Sequence, residues 1–287
     1  MLSDGRKVVD SFLFSEPHEK EILLAKFHAG ADGIDEFVAI EGAYTFRGEY
    51  KGLYLQNILD TDERFAPFRH KVTVLSCRES MLVGPACERE FFNVEFASRE
   101  LSRAYILSKY SDRDFVTCTD VDEMLDFSDP RRAKHIDRIL LEAAGQNKIA
   151  WIAMLKFWYD FDNASRERKF YPLGPISIVK GNWRQRQAPS HIVHVAHQPK
   201  WLAFEYSFCF SREAIYRKLC TFSHDGYTMA DVDRALAGNH WVKSESLGQK
   251  AGDRPEDFFT KQELNKDNSP PYVLENISWL KTHVVGS

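Results

Sequence analysis

Residues 115–123 read Phe115-Val116-Thr117-Cys118-Thr119-Asp120-Val121-Asp122-Glu123. The first part of this stretch is rich in β-forming residues and predicts a buried strand. Three carboxylates follow the strand almost at once. In open α/β sheets, ligands bind in the crevice outside the carboxyl ends of the strands. The position of these carboxylates therefore predicts a functional site at this edge of the sheet.

Strand-like and helix-like segments alternate through the first half of the chain. Short apolar runs predict strands, and apolar residues at helical spacing predict helices. In chain order these are 8–13 (strand), 19–27 (helix), 37–40 (strand), 72–75 (strand), about 87–110 (helix) and 115–118 (strand). A further helix is predicted to begin at Pro130, with Asp129 as its N-cap. This order predicts an α/β fold with a mixed, mostly parallel sheet flanked by helices.

Three further predictions concern the long helix and the second half of the chain. In the long helix, Leu101, Ala104, Tyr105 and Ser108 share one face, which we expect to be buried, while Arg99 faces solvent. In the second half, the apolar runs 151–161 and 176–179 predict strands of a smaller β-rich C-terminal portion or of an antiparallel edge. The polar stretch 243–271 is predicted to be mostly loop.

Composition and charge exclude several classes of function. The formal net charge is −4, and the pI of about 6.2 provides no global positive field for nucleic acid. No stretch approaches the ~20 apolar residues of a membrane span, and the N-terminal residues lack a signal-peptide pattern. The five cysteines form no CxxC pair. We therefore expect a cytoplasmic protein without a transmembrane segment.

The spacing of Asp120 and Asp122 suits a hard divalent ion. Two carboxylates at i and i+2 could hold Mg²⁺ or Mn²⁺, with water and diphosphate oxygens as the other ligands. Such an ion would neutralise charge on a departing nucleotide diphosphate. The alternative is an acidic loop that caps the next helix. A haloacid-dehalogenase-type phosphatase is disfavoured, because Glu123 follows the motif and the strand is the fourth in the chain.

Several segments together resemble glycosyltransferase family 17, which includes a β-1,4-mannosyl-glycoprotein β-1,4-N-acetylglucosaminyltransferase. The segments that carry the resemblance are 8–14 (VVDSFLF), 21–23 (EIL), 37–48 (FVAIEGAYTFRG) and 120–123 (DVDE). It is clear from about residue 7 to 125 and partial at 206–210 and 222–224. The resemblance implies a GT-A-like fold, a UDP-sugar donor, a divalent metal at the DxD motif and inversion at the anomeric carbon.

The sequence departs from the family pattern in two places. Where the family tends to read TGKPKPLY, this chain retains Lys51 and Tyr54 but has Glu49. Where the family commonly has Trp-His, this chain has Phe204 and Glu205. The acceptor is therefore expected to differ from a eukaryotic N-glycan core.

Three residues are candidate metal ligands. Asp122 is expected to be a solvent-facing direct ligand, and Asp120 to contact metal or ribose. His224 could complete the ligand set through an imidazole nitrogen, although a lone histidine is often structural. Glu123 is expected to support the metal ligands without binding the metal itself.

Other polar residues are candidates for binding the donor or activating the acceptor. The candidate donor-binding residues are Asp10, Glu41, Arg47, Lys51 and Asp120; the first two are considered for uridine or ribose, and Arg47 and Lys51 for the diphosphate. Glu41 could instead serve a turn or a helix cap. An inverting transfer also needs a base for the acceptor hydroxyl. Glu205 and Asp160 are candidates because each interrupts an aromatic-rich stretch.

The sequence thus predicts a metal-dependent inverting glycosyltransferase that moves a sugar, GlcNAc by the resemblance, from a UDP-sugar to a glycan or glycolipid. The alternative is a noncatalytic sugar-binding protein on a degenerate transferase fold. We expect one GT-A-like domain over 1–287. Residues 1–127 would form its nucleotide-sugar-binding half and 128–287 its acceptor-binding half.

Overall fold

The computed structural model describes residues 2–45, 48–78, 90–165, 169–180, 192–195, 201–221, 227–238 and 259–286. The strands are β1 (Val8–Phe14), β2 (Glu36–Gly42), β3 (Val72–Cys77), β4 (Phe115–Asp120), β5 (Glu123–Leu125), β6 (Ile149–Trp158), β7 (Asn163–Ser165), β8 (Lys169–Pro175), β9 (Ile192–Val195), β10 (Ala203–Ser207) and β11 (Phe259–Lys261). The helices are α1 (Lys20–Gly30), α2 (Leu55–Thr61), α3 (Glu90–Lys109), α4 (Pro130–Gly145), α5 (Ile176–Val179), α6 (Arg212–Thr221), α7 (Met229–Gly238) and α8 (Pro271–Leu280).

A parallel four-stranded unit forms the first half of the sheet, in the order β3-β2-β1-β4. Its strands pair in register, with Leu13 of β1 between Ile40 of β2 and Asp120 of β4. The central strand β1 is almost wholly buried, which explains its nearly continuous apolar sequence. The predicted mixed α/β sheet with flanking helices is confirmed.

The second half of the sheet is more antiparallel than the first. β8 runs antiparallel to both β4 and β6, and so joins the two halves. β6 also pairs in parallel with β10, and β10 pairs antiparallel with β5. Because β4 and β6 are each antiparallel to β8, these two strands run in the same direction. The carboxyl ends of β1, β2, β4, β6 and β10 therefore lie at one edge of the sheet.

The start of α4 shows how local sequence sets an element boundary. The side chain of Asp129 accepts hydrogen bonds from the backbone N–H groups of Arg131 and Arg132, and Pro130 occupies the first turn. These bonds satisfy donors that a helix start leaves unpaired. Ile136, Leu140 and other apolar residues of α4 are buried. The predicted cap and helix are confirmed.

Two predictions about individual elements are wrong. Residues Ile176–Val179 form the short helix α5 rather than a strand, because the strand β8 ends at Pro175 and the chain turns there. In α3, Ala104 and Ser108 are exposed, whereas Arg99, Ser102 and Ile106 are buried. The helix is therefore rotated relative to the predicted face, and Arg99 points inward.

The predicted loop 243–271 lies partly outside the described residues, and its described part contains β11. Across the described ranges, no helix is both long enough and apolar enough to cross a bilayer.

Candidate active site

A pocket opens at the carboxyl ends of β1 and β2. Its polar lining comes from four parts of the chain: Ser15 and Glu16 after β1, Thr45 and Lys51 after β2, Ser98 of α3, and Thr221 of α6. Leu13 also lines the pocket and is paired with Asp120 in the sheet register. The pocket therefore adjoins the acidic motif at the edge that the sequence predicts.

The ammonium group of Lys51 is buried at this pocket. Its side chain is 9% exposed, and Nζ has no hydrogen-bond partner among the described residues. The nearest carboxylate oxygen, Oε1 of Glu41, is 3.9 Å away. Burial lowers the pKa of Lys51, although Glu41 and Glu16 oppose this shift. An unsatisfied buried ammonium is costly, so this group is suited to donate a hydrogen bond to a ligand oxygen.

Glu16 supplies the second ionisable group of the pocket. It is 5% exposed, and burial raises the pKa of its carboxyl group while Lys51 and Arg217 act against that rise. A carboxyl group and an ammonium group in one pocket suit a ligand that both donates and accepts hydrogen bonds. Glu16 is not among the residues that the sequence predicts for the site, although it closely follows the first strand.

Glu41 ends β2 at the expected edge but has a structural role. Its two carboxylate oxygens accept hydrogen bonds from the backbone N–H groups of Tyr54 (2.7 Å) and Leu55 (2.9 Å), at the start of α2. The side chain is fully buried, and this burial raises its pKa despite the two hydrogen bonds. The helix-cap alternative thus describes Glu41 better than contact with uridine or ribose.

Asp120 is the partly exposed carboxylate of the motif. Its side chain is 37% exposed, and Oδ1 accepts a hydrogen bond from Nη2 of Arg99 at 2.9 Å. Arg99 is also held by Glu95, whose Oε1 lies 2.9 Å from Nε. Arg99 follows Ser98, which lines the pocket. The ion pair thus fixes Asp120 beside the pocket while leaving part of its carboxylate accessible.

Asp122 does not face solvent as expected. Its side chain is 8% exposed, and Oδ2 accepts a hydrogen bond from Nζ of Lys218 at 3.0 Å. Burial raises the pKa of Asp122, with Lys218 acting in the opposite direction. Burial alone would lower the pKa of Lys218, but Asp122 and Glu19 outweigh it and raise that pKa. Each group therefore stabilises the charged form of the other, and the two side chains form a buried ion pair.

Asp10 is also enclosed rather than presented to a ligand. It lies on β1, is 2% exposed and accepts a hydrogen bond from Oγ1 of Thr119 at 2.9 Å. Nζ of Lys26 lies 2.9 Å from its Oδ2. Uridine or ribose therefore has no direct access to Asp10 in this structure.

Glu205 lies on β10, opposite Glu123 of β5. Its Oε1 lies 3.2 Å from Nζ of Lys156 and 3.0 Å from Nζ of Lys169, and it also accepts a hydrogen bond from Ser207. Burial favours the neutral acid, but the two lysines and Ser207 outweigh burial and lower the pKa of Glu205 to about 2. A carboxylate with so low a pKa is a weak proton acceptor.

Asp160 follows β6 and lies past the same edge of the sheet. Its Oδ2 is 2.9 Å from Nζ of Lys261 and 3.4 Å from Nζ of Lys281. Its side chain is 26% exposed, against 3% for Glu205. Of the two candidate bases, Asp160 is the one that solvent reaches.

Two candidates, Arg47 and His224, lie outside the described residues. Three basic side chains that the sequence does not predict for the site form ion pairs with three of the acidic residues described above. They are Lys26 with Asp10, Arg99 with Asp120 and Lys218 with Asp122. Each comes from a helix, and helical spacing alone could have suggested only that Lys26 lies near an apolar face.

The donor set is compatible with a sparsely coordinated ion. In the described part of the chain, no group of three or more His, Cys, Asp or Glu side chains could hold a metal. Mg²⁺, however, is usually bound through one or two carboxylates, together with waters and substrate phosphates. The exposed part of Asp120 at a ligand-binding edge meets that requirement.

Comparison with protein families finds one match over most of the chain. The model of glycosyltransferase family 17 matches residues 1–233. This range includes the pocket, Asp120, Asp122 and Glu205. A comparison with curated proteins finds no match.

Solved structures with a similar arrangement are remote. The glucosyl-3-phosphoglycerate synthase of M. tuberculosis matches with 11% identity, 95% coverage of this chain, 93% of that chain and a TM-score of 0.32. The galactosyltransferase LgtC, in complex with donor and acceptor sugar analogs, matches with 12% identity, 79% and 70% coverage and a TM-score of 0.30. A mannose-6-phosphate isomerase from Helicobacter pylori matches with 10% identity, 60% and 72% coverage and a TM-score of 0.35. At these TM-scores, no inference about this chain rests on the likeness.

Proposed function

This chain belongs to glycosyltransferase family 17, and we propose that it is a metal-dependent inverting enzyme that transfers GlcNAc from a UDP-sugar to a glycan or glycolipid. One observation carries the proposal: a pocket with a buried, unsatisfied Lys51 ammonium adjoins the partly exposed Asp120. Both lie at the carboxyl edge of the parallel strands, where ligands bind in open α/β sheets.

In this proposal, the pocket binds the nucleoside part of the donor. Lys51 donates a hydrogen bond to a ribose oxygen, and Glu16 accepts one from a ribose hydroxyl. The charges favour this ligand over the diphosphate, because Glu16 and Glu41 surround Lys51 and would repel two further negative charges. Lys51, which the sequence predicts to contact the diphosphate, is therefore assigned to the ribose.

The diphosphate is assigned to the neighbouring position beside Asp120. Asp120 would hold a divalent ion there, Mn²⁺ or Mg²⁺, and the ion would neutralise charge on the leaving diphosphate. Arg99 holds the Asp120 carboxylate in place. Arg99 is buried, so it orients Asp120 and does not itself contact the donor.

The acceptor is assigned to the half of the chain after residue 127. Asp160 is the proposed proton acceptor for its hydroxyl group, because it lies past the carboxyl end of β6 and is accessible. Glu205 is not carried forward as the base, because its side chain is only 3% exposed, against 26% for Asp160. Glu205 instead neutralises the buried Lys156.

Calorimetry of the purified protein with UDP, with and without Mn²⁺, tests the proposal. We expect UDP binding that depends on Mn²⁺ and that Asp120→Asn weakens at least tenfold. Asp112→Asn is the matched control, because Asp112 is exposed and lies before the amino end of β4, at the opposite edge. Asp112→Asn should bind UDP as the wild type does. If UDP fails to bind under both conditions, the donor assignment is wrong; glycan binding without UDP or metal would then indicate a noncatalytic sugar-binding protein.

A further inference from the structure

The two aspartates of the Asp120-Val121-Asp122 motif occupy different environments. The Asp120 side chain is 37% exposed and bonded to Arg99, whereas the Asp122 side chain is 8% exposed and bonded to Lys218. The motif therefore presents one carboxylate to a ligand and directs the other into the protein.

Lys218 requires a buried counter-ion. Its side chain is 8% exposed, and its ammonium lies 5.1 Å from the ring centre of Phe210 and 5.7 Å from that of Phe208. Oε1 of Glu19 is 3.5 Å away, farther than the 3.0 Å to Asp122. An unpaired charge in an aromatic surrounding is strongly disfavoured, and Asp122 is the closer of these two carboxylates that compensate Lys218.

The ion pair also connects parts of the candidate active site. The carbonyl oxygen of Asp122 accepts a hydrogen bond from the backbone N–H of Tyr206 at 3.0 Å, so its backbone is fixed as well as its side chain. Lys218 belongs to α6, whose last residue, Thr221, lines the pocket. The Lys218–Asp122 pair thus joins the turn after Asp120 to the helix that borders the pocket.

We propose that Lys218 is a positioning residue that holds Asp122 as an internal counter-ion, and that Asp120 is the one carboxylate of this motif that contacts the divalent ion. This inference rests on the proposed function. It divides the roles within the motif: Asp120 faces the ligand, and Asp122 fixes the turn that carries Asp120. Removal of Lys218 should release the Asp122 carboxylate for metal binding.

The test measures Mn²⁺ affinity in the presence of UDP, by electron paramagnetic resonance of free Mn²⁺, together with urea unfolding. The variants are Asp120→Asn, Asp122→Asn, Lys218→Met and the double variant Asp122→Asn/Lys218→Met. The double variant replaces the ion pair by two neutral side chains of similar size, so it is expected to fold even where a single variant is unstable.

Four results are expected. Asp120→Asn weakens Mn²⁺ binding at least tenfold. Asp122→Asn loses stability, and the double variant recovers most of that loss. Lys218→Met tightens Mn²⁺ binding about threefold or more, because Asp122 is released. The double variant returns the Mn²⁺ affinity to the wild-type value, which a purely structural lysine would not predict.

Two results would overturn the inference while leaving the proposed function intact. One is a folded double variant that loses Mn²⁺ binding as Asp120→Asn does, because Asp122 would then be a ligand. The other is an unchanged Mn²⁺ affinity in Lys218→Met. Absence of Mn²⁺ binding in the wild-type protein with UDP would contradict the proposed function itself, and the division of roles with it.

Discussion

Nζ of Lys26 lies 2.9 Å from Oδ2 of Asp10, and both side chains are at most 3% exposed. Lys26 also donates hydrogen bonds to Oγ1 of Thr119 and to the carbonyl oxygens of Asp120 and Glu123. This single ammonium therefore joins α1 to β1, to β4 and to the acidic turn beneath the candidate active site.

Asp10→Asn should lower the free energy of unfolding by about 3 kcal/mol, because it leaves the buried Lys26 ammonium without its carboxylate. Urea unfolding measures this change. Asp10→Asn/Lys26→Met should lose less than the single variant, since no uncompensated charge remains. A loss below about 1 kcal/mol in the single variant would show that the carbonyl and hydroxyl acceptors alone satisfy Lys26.

Lys51→Met should separate stability from ligand binding. We expect little net change in stability, because the removal of a buried ammonium without hydrogen bonds offsets the loss of its attraction to Glu41 and Glu16. UDP affinity should fall about tenfold or more, since hydrogen bonds to charged groups contribute about 1.5–3 kcal/mol.

Lys71→Met is the matched control for Lys51→Met. Nζ of Lys71 donates hydrogen bonds to the carbonyl oxygens of Ala31 and Ile34. Its replacement should therefore lower stability and leave UDP affinity unchanged. Equal UDP affinity in both variants would contradict the assignment of Lys51 to the donor.

Glu205→Gln should lower stability by about 3 kcal/mol at neutral pH, because the variant removes the buried carboxylate that lies 3.2 Å from Nζ of Lys156. The pKa of Glu205 is about 2 in the folded protein, below the ordinary value of 4.5. The contribution of the Glu205 carboxylate to the free energy of unfolding is therefore complete above about pH 4.5 and is lost as the pH falls towards 2. The difference in unfolding free energy between wild type and Glu205→Gln should shrink over this range. A difference independent of pH would contradict the low pKa.

His18→Phe should reduce the sensitivity of the protein to mild acid. Burial, with Lys218 and Arg217 nearby, lowers the pKa of His18 from 6.5 to about 3, and Nε2 has no hydrogen-bond partner within the described ranges. Below pH 6.5, His18 is protonated in the unfolded chain but stays neutral in the folded protein. The free energy of unfolding therefore decreases as the pH is lowered, by up to about 1.4 kcal/mol per pH unit.

The phenylalanine in His18→Phe cannot be protonated but can keep the edge-on contact with Phe210. Thermal unfolding between pH 7 and about 5 should show a smaller loss in the variant. The same loss in both proteins would mean that His18 is not buried in its neutral form.

Local patterns predicted the elements that carry the site. The apolar runs of β1, β2 and β4 are buried on both faces, so they leave a continuous signal in the sequence. The N-cap Asp129 likewise acts on N–H groups two and three residues away. The run 176–179 is a helix rather than the predicted strand, because a four-residue apolar segment has no period that distinguishes the two.

The sequence by itself determined that carboxylates follow the fourth strand, and the parallel order of strands placed them at the ligand-binding edge. Only the tertiary structure decided which carboxylate faces a ligand. Lys218 meets Asp122 across 96 residues of chain, and Lys26 meets Thr119 across 93. Such pairs depend on how helices pack against the sheet, because periodicity indicates which side of an element is buried and not which side chain it meets there.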